Sequence, residues 1–79
     1  MKNYIDHLFR GYGEEFFGKE AMDKITDKQV ETARIYSFKT LNDVCKEVIK
    51  SGDKESLEII KKSNILKELF FNYIFSEYM

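Results

Sequence analysis

Residues 26–53 read TDKQVETARIYSFKTLNDVCKEVIKSGD, and both ends of that stretch carry the signals that bound a helix. Thr26-Asp27-Lys28-Gln29 has the spacing of a capping box: the Thr26 hydroxyl can accept from the Gln29 amide while the Gln29 side chain reaches back to the Thr26 amide. Ser51-Gly52-Asp53 offers a glycine to end a helix in the left-handed region and an aspartate to cap the next one, which is the sequence form of a helix hairpin. Between these ends Val30, Ala33, Leu41, Val44 and Val48 recur at helical spacing, with Ile35, Phe38, Cys45 and Ile49 widening the stripe on one flank. The opposite face is charged. Lys39 with Asp43 and Asp43 with Glu47 sit at i,i+4, the first pair attractive and the second repulsive, so they describe a solvated face.

Outward from this helix the chain keeps the same period. On the C-terminal side, Leu57 and Ile60 mark the inner side of a helix that starts at Asp53. Ser63 or Asn64 can cap a last helix over 65–78, or the two segments can run on as one. In that last segment Leu66, Leu69, Phe70, Tyr73 and Ile74 form one stripe, and Phe71, Phe75 and Tyr78 form a second beside it. A helix that is apolar on nearly two faces is central in its own domain or half-buried in a partner. On the N-terminal side, Asn3 can cap a first helix whose apolar face carries Tyr4, Ile5, Leu8, Phe9 and Tyr12. Gly11-Tyr12-Gly13 is expected to end that helix, and Glu14 to Ile25 reads as a shorter helix interrupted by Gly18. Proline is absent and glycine numbers four, so long helices are expected throughout.

These patterns predict an all-α fold, a small helical bundle of three to five helices in a single domain over residues 1–79. At 9.4 kDa the chain should expose about 5,000 Å² when folded, a small and thinly stabilised core. Self-association is expected to complete it.

Composition narrows the function by exclusion. Thirteen basic and fourteen acidic residues leave a net charge of −1, so no global field draws the chain onto nucleic acid or anionic lipid. The longest uncharged run, Leu69 to Ser76, is far shorter than the ~20 residues a membrane-crossing helix needs. The amino terminus lacks the apolar core of a signal peptide, and the single Cys45 cannot form an internal bridge; a reducing cytoplasm is the expected compartment.

Candidate chemistries fail one by one. His7 has Asn3 and Gly11 as its i−4 and i+4 neighbours, so no ligand or orienting carboxylate lies at helical reach. Cys45 sits mid-helix on the apolar flank and reads as a small core residue rather than a nucleophile. Glu20, Asp23 and Asp27 share a face but are interleaved with Lys19, Lys24 and Lys28, which marks a solvated surface rather than a cation site. The glycines of Gly11 to Gly18 follow no strand, and two carboxylates would face any phosphate held there. The hairpin at Gly52 places Glu58 and Lys61 where the second helix of a DNA-binding helix-turn-helix should be apolar. No catalytic, cofactor or metal residues are therefore assigned.

Aromatic clustering is the positive signal. Five of twelve aromatics are Tyr4, Phe9, Tyr12, Phe16 and Phe17, and five more are Phe70, Phe71, Tyr73, Phe75 and Tyr78. Part of this is expected to be core, with Tyr4 and Phe9 packing on Phe70 and Ile74. The rest is expected to be a protein-binding surface, where Tyr and Phe are enriched. Phe71, Phe75 and Tyr78 are its expected anchors, with Phe70 and Tyr73 beside them. The expected function is a non-enzymatic protein-binding module that also forms homo-oligomers, a small accessory regulator or inhibitor; the alternative is a small helical nucleic-acid-binding regulator. Lys, Ile, Asn, Phe and Tyr make up 35 of the 79 residues, a bias of AT-rich codons that fits a phage or mobile-element gene.

Overall fold

The computed structural model describes residues 4–79, which form five helices and no strand. They are α1 (Tyr4–Phe17), α2 (Lys19–Asp23), α3 (Asp27–Ser51), α4 (Lys54–Lys62) and α5 (Ile65–Tyr78). The all-α bundle is what the sequence periodicity predicts. The Asn3 cap expected for α1 lies outside the described residues.

The long helix is bounded as its ends imply. Thr26 Oγ1 accepts from the Gln29 amide at 3.1 Å, and the Thr26 amide donates to Gln29 Oε1 at 2.9 Å. Gly52 closes α3 at φ 74°, a backbone conformation that costs glycine little and other residues more. Asp53 then caps α4, its carboxylate accepting from the Ser56 amide at 3.2 Å and from the Ser56 hydroxyl at 2.7 Å. A helix of 25 residues is about 37 Å long, so α3 accounts for most of the 42 Å length of a molecule that is 24 × 21 Å across. The chain breaks at Ser63–Asn64, and α4 and α5 are separate helices.

One expectation about the glycines is corrected, while the interruption expected at Gly18 is present. Helix α1 does not end at Gly11-Tyr12-Gly13 but runs through it to Phe17, and the break falls at Gly18, where φ is 94°. Gly13 is buried inside α1 because α2 crosses there: a Cβ on it would stand 2.6 Å from Met22 Cε and 2.8 Å from Met22 Sδ. Its role is close approach between helices, not chain reversal. The segment from Gly11 to Phe17 is thus helical backbone.

The core lies where α1, α2, the first half of α3 and α5 meet. Phe9, Met22, Ile25, Val30, Ala33, Phe70 and Ile74 are buried there. Ser37 occupies the same stripe one turn past Ala33, and its hydroxyl is satisfied by the Ala33 carbonyl at 2.7 Å. Two arginines pin the periphery. Arg10 donates to the Met22 carbonyl (2.8 Å) and the Ile25 carbonyl (2.6 Å) and pairs with Asp27 at 3.1 Å, so it ties the end of α2 to the start of α3. Arg34 pairs with Asp6 at 2.5 Å across α3 and α1, and that carboxylate holds the guanidinium pKa above its ordinary value despite the opposing effect of burial.

Beyond Phe38 the expected α3 stripe does not enter the core. Leu41, Cys45 and Val48 are half-buried, while Val44 and Ile49 are exposed. The nine residues of α4 are too few to cover them, and α4 itself has no buried residue. Leu57 and Ile60 do turn inward, half-buried, but Cys45 is a residue of this loosely covered hairpin rather than of the core. Among the described residues no helix is long and apolar enough to cross a membrane.

Candidate functional site

The aromatics divide between an interior and a surface. Phe9 meets Phe70 at a centroid distance of 4.9 Å, Tyr12 edge-on at 5.5 Å and Phe38 edge-on at 5.9 Å. Phe70 and Ile74 are fully buried. The expected contact of Phe9 with Phe70 is present, but Tyr4 is 72% exposed and takes no part in closing the core. Phe70, grouped with the interface residues from sequence, sits on the wrong side of α5 for that role: one turn of helix places it with Ile74 against α1 and α3, closed to any partner.

Of the second α5 stripe, Phe71 is half-buried against the core and Phe75 is exposed, and both face the end of α1. Phe71 stacks nearly parallel on Phe16, 4.4 Å between centroids and 12° between planes, and meets Phe17 edge-on at 5.8 Å. Phe16 and Phe17 are themselves edge-to-face at 4.9 Å. Phe75 continues the row one turn further along α5. The result is an open groove of about 500 Å³ between the end of α1 and the outer face of α5, with Phe16, Phe17, Phe71 and Phe75 as its apolar lining and Asn64, Lys67, Glu68 and Asn72 at its polar edge. Phe16 is 64% exposed and Phe75 65%. Lys67 places its ammonium over the Tyr12 ring, Nζ 4.2 Å from the centroid, a cation–π contact beside the groove.

Tyr73 and Tyr78 form a different group. Tyr73 packs on Tyr36 at 4.8 Å and on Tyr78 at 5.8 Å, all on the α3 side of α5. Burial raises the Tyr78 phenol pKa, and its hydrogen bond with Tyr73 adds to the shift. Of the five residues expected at an interface, Phe71 and Phe75 line the groove, Tyr73 and Tyr78 are half-buried in the tyrosine cluster, and Phe70 is core. Phe16 and Phe17, half of the apolar lining, were not assigned a site from sequence. A signal for Phe16 exists: with α1 unbroken, Phe9, Tyr12 and Phe16 follow at i, i+3 and i+7 and share one helix face.

His7 is exposed on α1, and among the described residues no group of three or more His, Cys, Asp or Glu side chains is placed to hold a metal ion. Chemically, the groove offers aromatic faces, two amides and one charge of each sign, a surface suited to desolvating apolar side chains. Comparison with protein-family models, with curated proteins and with solved structures found no match.

Proposed function

We propose that this chain is a non-enzymatic protein-binding module, a small accessory regulator or inhibitor of the phage or mobile-element type, which works in the cytoplasm and contacts its target through the aromatic groove between α1 and α5. The observation that carries the proposal is the pair of exposed rings, Phe16 and Phe75, flanking a half-buried Phe71. Burying large rings is the main source of apolar stabilisation open to a chain this short, so rings left in water on two adjacent helices are a cost to the monomer that a partner removes. Clustered aromatics with a polar rim are also the usual anatomy of a binding hot spot. Among the described residues the groove's one cation, Lys67, is matched by one carboxylate, Glu68, which favours a protein over a polyanion as its target.

The test is capture from cells that carry the gene, with tagged wild type, Phe75→Ser and Ile59→Ser run side by side. Ile59 is also exposed, at 58%, but lies on α4 away from the groove. The proposal expects a protein retained by wild type and Ile59→Ser and lost with Phe75→Ser. Equal retention by all three would exclude the groove as the contact surface.

A further inference from the structure

We infer that α4 is a strap that opens: it undocks from α3 and unfolds as a unit between Gly52 and Asn64, while the core of α1, α2, α5 and the first half of α3 stays folded. The inference is independent of what the groove binds. Its first ground is how α4 is held. The helix packs against α3 and buries no residue, Leu57 and Ile60 being only half-buried. Its polar side chains bond within α4 and its caps: the Ser56 hydroxyl to Asp53 at 2.7 Å, the Ser63 hydroxyl to the Ile59 carbonyl at 2.9 Å, and Lys61 to Glu58 at 3.8 Å. Among the described residues no side-chain hydrogen bond or ion pair joins α4 to another helix, whereas Arg10 and Arg34 clamp α1 to α2 and α3.

The second ground is the joints and the length between them. Gly52, at φ 74°, changes conformation at little cost, and Asn64 makes no side-chain cap bond to α5, so neither end fixes α4 to its neighbour. The nine residues of α4 are fewer than the ~12–15 that a helix needs to persist alone in water. Undocking and unfolding of α4 are therefore one event. The end of α3 differs, because it continues a helix already nucleated in the core and needs no nucleus of its own. Opening thus uncovers α3 without dissolving it. Leu41, Cys45 and Val48 share one face of α3 at i, i+4 and i+7 and are half-buried. In the open state that row joins the exposed Val44 and Ile49 in one apolar surface. The groove keeps Phe16, Phe17, Phe71 and Phe75 in place, and only its Asn64 edge is released.

The test follows two rates in rising urea below the unfolding midpoint: alkylation of Cys45, the chain's one thiol, by iodoacetamide, and exchange of the backbone amides. Wild type is compared with a variant carrying Leu57→Ala and Ile60→Ala, which removes the half-buried side chains of the strap. In wild type the inference expects Cys45 and the α4 amides to share one shallow urea dependence, since little surface is exposed by opening. The amides of Ala33, Phe70 and Ile74 are expected to exchange more slowly, with the steep dependence of global unfolding. The variant is expected to speed Cys45 alkylation about tenfold or more and to leave exchange of those core amides within about twofold. Cys45 alkylation as steep in urea as core exchange overturns the inference, because α4 and the core then unfold together. Alkylation of wild type at the rate of an unfolded peptide overturns it as well, because no strap then covers the thiol. So does a variant whose alkylation rate matches wild type, which moves the cover of Cys45 away from α4.

Discussion

At the scale of single residues, one position that constrains the packing of α1 on α2 has no side chain. Gly13 lets α1 and α2 approach until only hydrogen fits between the α1 backbone and Met22. An alanine in a helix interior normally gains about 0.5–1 kcal/mol over glycine by restricting the unfolded chain. At Gly13 the added methyl meets a thioether that is itself fully buried, and displacing it strains the core by ~1–3 kcal/mol, so the strain should win. Gly13→Ala is therefore expected to lower the urea midpoint, and the same substitution beside Met22→Ala to lower it by less than the sum of the two. Additive losses would show that the contact is not tight.

At the scale of elements, what was legible in the sequence is what local hydrogen bonds determine. Thr26 with Gln29, Gly52 and Asp53 bound α3 and α4 because their partners lie within four residues, and the structure makes those bonds. Gly11 and Gly13 misled because a glycine that ends a helix and one that admits a neighbour look alike until the neighbour is known. The α3 stripe misled differently: period identifies an apolar face but not what covers it, and α4 is short enough to leave Val44 and Ile49 in water. The same limit applies to the site, since the two α5 stripes were visible but Phe70 and Phe71 are adjacent in sequence and only packing separates core from groove. The Arg10 and Arg34 clamps span sequence separations of 12 to 28 residues and left no local trace. One element-scale consequence is testable by pH. The bonds from Ser56 hold the Asp53 carboxyl below its ordinary pKa. A lowered folded-state pKa means the cap's contribution is fully present above the ordinary aspartate value and is lost as pH falls through the lowered one. Protection of the Ser56 amide, taken against the unfolded-chain exchange rate at each pH, is expected to fall in that acid window, and Asp53→Asn to remove that fall.

At the scale of the whole molecule, a small core, seven buried apolar side chains among the described residues, holds an elongated bundle together, and the outer face of α5 is left over. A domain of this kind has roughly 5–15 kcal/mol of stability, so burial decides sharply which aromatic substitutions it survives. The central claim is that Phe70 and Phe75, five residues apart on one helix, belong to different tasks, the first to folding and the second to binding. Urea denaturation of Phe70→Ala, Phe75→Ala and wild type, at a concentration where wild type is monomeric by light scattering, tests it directly. Phe70→Ala is expected to lose about 3–5 kcal/mol or fail to fold, as a fully buried ring should. Phe75→Ala, 65% exposed, is expected to stay within about 1 kcal/mol of wild type. A Phe75→Ala loss as large as that of Phe70→Ala would make the outer stripe part of the core and contradict the assignment of the groove to binding.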